Sequence, residues 1–106
     1  MLTLDEIKTA METTGYPFAL YGWKNASANT YGVVVQDDAQ AIWGDGTLQE
    51  QSMIGTVHLF TKDPTGAPQA AVQEALGALD IAFYLNSVQY EDDTGYIHFE
   101  WVWECV

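Results

Sequence analysis

The residues able to do chemistry are few. The chain holds two histidines, His58 and His98, one cysteine, Cys105, and the serines Ser27, Ser52 and Ser87. His98 and Glu100 stand two apart, so a strand places both on one face, and Glu104 continues that face. With His58 beside them, such a set could bind a metal. The spacing, however, is ordinary strand periodicity, and half-exposed strand histidines with no metal and no cofactor are the expectation. Cys105 has no base near it in the sequence and suits a small buried side chain at a strand end. None of the serines lies in a nucleophile-elbow pattern. Asp37-Asp38 and Glu91-Asp92-Asp93 lack the alternating oxygen ligands of a calcium loop and suit solvated turns. "GDG" and "PTG" lack the lysine or helix opening of a phosphate cradle. No pair of carboxylates stands in the contrasting environments that acid–base catalysis uses. The chain is therefore not expected to be an enzyme.

Charge narrows the partners. Among 106 residues, fifteen Asp and Glu face three lysines, Lys8, Lys24 and Lys62, with no arginine, for a net charge of −12. Phosphate recognition leans on Lys and Arg, so direct specific nucleic-acid binding is not expected. An anionic membrane surface is disfavoured for the same reason. One cysteine allows no intrachain disulfide. The opening "MLTLDEIKTAM" lacks the basic start and apolar run of a signal peptide. No apolar stretch approaches the roughly 18 residues of a membrane span. These features predict a protein that is soluble and intracellular when made. A chain of this length predicts a single domain, 1–106, which can bury about two thirds of its unfolded surface without metal or disulfide staples.

The elements that must position these residues follow from periodicity. Thr3-Leu4-Asp5-Glu6 fits a capping box, with Leu2 and Ile7 placed as its hydrophobic staple. Leu4, Ile7 and Met11 then predict a helix over 4–14, stopped by Gly15 with Pro17 beyond. "PFALYGW" predicts a first strand, "KNASANT" a polar loop and "TYGVVVQ" a second strand, which "DDAQ" interrupts before "AIW" resumes it. Asp45-Gly46 between Trp43 and Leu48 is a tight-turn signal. "LQEQSMIGTVHLFT" predicts a long strand with Met53, Gly55, Val57 and Leu59 on one face and Ile54, Thr56, His58 and Phe60 on the other. Pro68 opens a second helix whose buried stripe is Val72, Ala75, Leu76 and Leu79. "IAFYLNSVQY", the turn "EDDTG" and "GYIHFEWVWECV" close the chain as a hairpin. The predicted fold is α+β, in the order α-β-β-β-α-β-β. A largely antiparallel or mixed sheet of four to five strands carries both helices on one face.

In the last strand, Ile97, Phe99, Trp101, Trp103 and Cys105 share a face, opposite Tyr96, His98, Glu100, Val102 and Glu104. The first set is large enough to be a main wall of the core under the helices, which assigns Trp101 and Trp103 to stability. The chain holds four Trp, six Tyr and four Phe, more than one core needs. The uncovered face of the sheet is expected to keep aromatic side chains, as interfaces do. The hairpin around Trp43, Asp45 and Leu48 is the expected contact arm, with Ile54 and His58 on the outer sheet face.

Three stretches together span nearly the whole chain and resemble one family. "LTLDEIKTAMETTGYPFALYGW" resembles its first helix, helix-ending glycine and aromatic first strand. "AIWGDGTLQEQSMIGTVHLFTKD" resembles its acidic turn and long strand. "AAVQEALGALDIAFYLNSVQYEDDTGYIHFEWVWECV" resembles its second helix and closing hairpin. The family is the tail-terminator and tail-completion (head–tail joining) proteins of long-tailed phages, including the lambda minor tail protein U group. The resemblance implies a structural virion protein of a phage or prophage. It would assemble with itself into a ring, commonly a hexamer, at the head-proximal end of the tail. Its partners would be the tail tube and head connector, and it would reside in the host cytoplasm during assembly and in the virion afterwards. No catalytic residues carry over. Two other readings compete: an acidic DNA mimic that inhibits a nucleic-acid enzyme, and a small-ligand binding module walled by the aromatic sheet. The mimic requires Asp37, Asp38, Glu91, Asp92, Asp93 and Glu100 to line one stripe.

Overall fold

The computed structural model describes residues 2–23, 28–44 and 47–105, with 39–44 and 47–51 described by backbone alone. The elements are α1 (Leu4–Glu12), β1 (Phe18–Leu20), β2 (Thr30–Gly44), β3 (Thr47–Thr61), α2 (Ala67–Gly77), β4 (Ala82–Glu91) and β5 (Tyr96–Cys105). They form one five-stranded mixed sheet in the order β1-β2-β3-β5-β4. β1 runs parallel to β2, and the other neighbours are antiparallel. The fold is α+β, in the element order the periodicity predicts.

α1 begins with the reciprocal cap. The Glu6 N–H donates to Thr3 Oγ1 at 3.1 Å, and the Thr3 N–H donates to Glu6 Oε1 at 3.2 Å. The helix ends at Glu12, two residues short of the expected 14, because Thr13 and Thr14 turn their hydroxyls back onto the carbonyls of Ala10 and Met11. β1 is shorter than "PFALYGW" suggested because Tyr21 takes a left-handed backbone, φ +66°, and swings the chain out of the ladder. β2 is longer. "DDAQ" does not interrupt it, because a register shift between Gln36 and Asp38 absorbs the extra residue as a bulge.

α1 packs on β1 and β2, and α2 on β3. Between helices and sheet lie Ile7, Met11, Val72, Leu76, Val34, Val57, Leu59, Trp101 and Trp103, all fully buried. Trp101 donates its indole N–H to Gln73 Oε1 of α2 at 2.7 Å, whereas the buried Trp103 indole N–H has no partner. Two glycines make room for these rings. A Cβ at Gly55, which pairs with Trp103, would collide with the Val35 carbonyl oxygen and the Trp103 ring. One at Gly32, opposite Phe18, would collide with the Phe18 ring. The helices leave β4 bare at the sheet edge. Leu85, Val88 and Tyr90 on the helix side, and Tyr84 on the other, are all exposed.

Candidate functional site

Two features of the outer surface stand apart from the core. The first is an arm. β5 pairs with β3 only from Met53 onward, and β1 reaches β2 only at Gly32–Val34. The β2–β3 ladder nevertheless continues to Trp43↔Leu48 and Gly44↔Thr47, with a second register shift beside Trp43. Residues 39–44 and 47–52 thus form a two-stranded extension about 20 Å long at the usual strand rise. It accounts for an elongated molecule of 52 × 25 × 22 Å. An isolated two-stranded ribbon is marginal in water, and its outer edges carry unpaired backbone groups that suit another strand. Trp43 and Leu48 sit opposite each other on this arm, as the turn signal predicts. Asp45 lies outside the described residues. Ile54 stands at the arm's root, at a small cleft shared with Tyr84, Val102 and Trp103.

The second feature is a groove of about 380 Å³ on the face away from the helices. Strand alternation supplies its floor: Tyr31, Val33 and Val35 from β2, His58 and Phe60 from β3, and His98 from β5. The left-handed Tyr21 supplies its wall. That conformation costs a non-glycine residue about 1–2 kcal/mol, and it is held by hydrogen bonds from Tyr21 N–H to the Val34 carbonyl and Gly22 N–H to the Leu20 carbonyl. It carries Trp23 over β2, where the indole N–H donates to the Gly32 carbonyl at 2.8 Å. The indole stands at a right angle to the Tyr31 ring of the groove floor, with centroids 6.3 Å apart. Tyr31 stacks on Phe60 with centroids 4.9 Å apart, and Phe60 on His98 at 4.2 Å. Tyr96 closes the row, its hydroxyl donating to the Ala28 carbonyl at 2.7 Å, with Lys62 Nζ 4.8 Å from its ring centroid.

At one end of the floor the two histidines meet. His58 Nδ1 and His98 Nε2 are 2.8 Å apart, and His58 Nε2 is 3.1 Å from Thr56 Oγ1. The tautomers that turn an N–H rather than a lone pair toward Glu91 have the Thr56 hydroxyl donating to His58 Nε2 and His58 Nδ1–H donating to His98 Nε2. His98 Nδ1–H then faces Glu91 Oε2 at 3.9 Å. Glu100 Oε1 lies 3.8 Å from His58 Nδ1, while its Oε2 accepts from Asn86 Nδ2 at 2.7 Å. Burial, and then the neighbouring His58, hold His98 below the ordinary histidine pKa, against the opposing pull of Glu91 and Glu100. Tyr31 is raised, by burial first and then by Tyr96 and Glu91.

The cross-strand register thus brings His58, His98 and Glu100 together, as a metal site would need, yet the imidazoles bind each other. Among the described residues no group of three His, Cys, Asp or Glu is arranged to hold a metal. Nor does His58 join Trp43 and Leu48 in one patch. It sits four residues beyond Ile54 along β3, within the groove. Cys105 is buried, and burial raises its thiol pKa, as suits an unreactive side chain.

The acids do not form a stripe. Asp38 pairs opposite Ile54, whereas the 91–93 turn lies beyond the other end of the sheet, where Ile97 meets Thr61. That is about 23 Å along the strand direction, with Glu100 alone between them among aromatic and imidazole rings. The groove wall, Tyr21 and Trp23, was not singled out from the sequence. The strand-breaking Tyr-Gly pair in "LYGW" was the available signal. The chain matches no known protein-family model and no characterised protein sequence.

Proposed function

We propose that the chain is a non-enzymatic structural protein that assembles with copies of itself into a closed ring, in the manner of the phage tail-terminator and tail-completion proteins it resembles. The observation that carries this reading is the β2–β3 arm, a ribbon that outruns its own sheet and is too thin to be stable alone. A ring needs two different surfaces on each copy, used head to tail. The arm is one. The bare β4 edge, with Tyr84, Leu85, Val88 and Tyr90 exposed, is the other. That edge carries no lysine or proline to discourage strand pairing. Tail tube and head connector are the partners this role implies, in the host cytoplasm and then the virion. A net charge of −12 suits a ring around a DNA path, which must pass the polyanion without holding it.

The same charge makes copies repel, so assembly should strengthen as salt is added. Sedimentation of the purified chain from dilute to high concentration, at low and high salt, alone and with tail tubes, tests the proposal. A discrete ring species, or co-sedimentation with tubes, is expected. A monomer that ignores tubes under every condition would sink it. The DNA-mimic reading is set aside because five of its six acids divide between opposite ends of the sheet and Glu100 stands alone between them, beside His58.

A further inference from the structure

We infer that the groove on the outer sheet face is a docking site for a basic segment of a different protein, one that lays an arginine or lysine side chain against Trp23 and toward the Glu91–Glu100 end. This site is separate from the arm and the β4 edge, and the inference does not rest on the ring.

Four observations lead to it. The groove is built rather than incidental. Tyr21 is held in a left-handed conformation, φ +66°, by two backbone hydrogen bonds, and its result is to place Trp23 over the sheet. Such an outlier persists only where the surroundings enforce it, and it is commonly found where a ligand binds. Trp23 is 40% exposed although its one polar atom is already bonded to the Gly32 carbonyl. What remains available is ring surface, which attracts a cation with an apolar stem.

The local field also favours a cation. Among the described residues the groove lining contains no lysine, and carboxylates stand behind the imidazole end, Glu100 at 3.8 Å from His58 and Glu91 at 3.9 Å from His98. The histidines share one hydrogen bond, which requires a lone pair on one of the two bonded nitrogens, so they do not both carry a charge, and burial holds His98 below the ordinary histidine pKa. Beside the groove the chain already uses the same recognition on itself, with Lys62 over Tyr96. Finally, a second copy is the wrong occupant. It brings no arginine and a charge of −12 of its own, and of its three lysines Lys8 is paired with Glu12 at 3.3 Å, Lys62 is over its own Tyr96, and Lys24 lies outside the described residues. Nucleic acid is excluded by the same field.

The test is selection of a random twelve-residue peptide library on the immobilised full chain, followed by affinity measurement of the enriched peptides. Each is compared with a copy in which citrulline, the neutral shape-mimic of arginine, or glutamine in place of lysine, removes the charge. Enriched peptides should carry Arg or Lys beside an apolar residue and weaken about tenfold on losing the charge. They should weaken similarly on Trp23→Ala, whose side chain is partly exposed, and on the isosteric Glu100→Gln. Acidification that protonates His98 should weaken them further. Three results overturn the inference: no enrichment, enriched peptides that are neutral or acidic, or unchanged affinity on both variants. So does perturbation of the groove resonances by raising the concentration of the chain alone, which would make a second copy the occupant.

Discussion

Trp101 and Trp103 stand two residues apart on one strand, both fully buried under the same helices. They differ in one respect. The Trp101 indole N–H donates to Gln73 Oε1 at 2.7 Å, while that of Trp103 is buried without a partner. Replacing each by Phe removes the same atoms from closely similar surroundings, so the transfer and cavity costs largely cancel in the comparison. What remains is polar. Trp101→Phe gives up a hydrogen bond worth about 1 kcal/mol net, and Gln73, being exposed, turns to water. Trp103→Phe removes an unsatisfied donor whose burial costs about 1–3 kcal/mol. Trp101→Phe should therefore be the more damaging by about 2–4 kcal/mol. For a domain near 100 residues, each kcal/mol shifts the melting temperature by about 4–8 °C. Paired urea titrations followed by far-ultraviolet circular dichroism would read the difference directly. A Trp103→Phe variant as unstable as Trp101→Phe, or more so, would refute the reasoning, for it would mean that the indole N–H of Trp103 is satisfied. Trp101→Ala should cost more than either, about 3–5 kcal/mol.

Other expectations concern backbone and charge. Gly55→Ala should cost more than about 2 kcal/mol in urea titration, because its Cβ meets a backbone carbonyl and a fixed ring. Gly77→Ala at the end of α2, whose Cβ finds only Phe83 Cζ at 4.0 Å, should be neutral or gain up to about 1 kcal/mol. Thr3→Ala should cost about 1 kcal/mol by removing the cap of α1, seen as a shift of the urea midpoint. His98 has its folded pKa lowered from 6.5, so the unfolded chain binds its proton first. Stability should fall as pH drops below 6.5 toward the folded pKa, and hold above it. His98→Gln should flatten urea midpoints measured across that interval, and an unchanged slope would contradict the assignment.

How much of this was legible in the sequence depended on how local the cause was. The cap at Thr3–Glu6 and the alternation of 96–105 are short-range, and the structure follows them; Trp43 and Leu48, which flank the Asp-Gly signal, pair with each other, while Asp45 and Gly46 lie outside the described residues. Asp37 misled because a bulge lets a strand absorb a polar pair without ending. Tyr21 misled because an aromatic residue in left-handed backbone contradicts its propensity, and only its hydrogen bonds to β2 and its neighbours keep it there. The groove was the least legible part. Its floor joins residues 31, 58 and 98, which meet because β5 inserts between β3 and β4. Alternation placed His58 and His98 each on an outer face, but the register that sets them 2.8 Å apart is a property of the whole sheet. The bareness of β4 was equally hidden, since it depends on how far two short helices reach.

The most direct test of ring assembly through the arm is sedimentation velocity at high concentration and high salt, comparing the intact chain with a variant in which an Asn-Gly turn replaces residues 41–51 and so joins the paired Gln40 and Ser52. The sheet from Met53 to Thr61 keeps all its neighbours in that variant, so it should fold. The account predicts a discrete ring for the intact chain and a folded monomer for the shortened one. A shortened chain that still forms the ring, or an intact chain that stays monomeric both alone and with tail tubes, would contradict it.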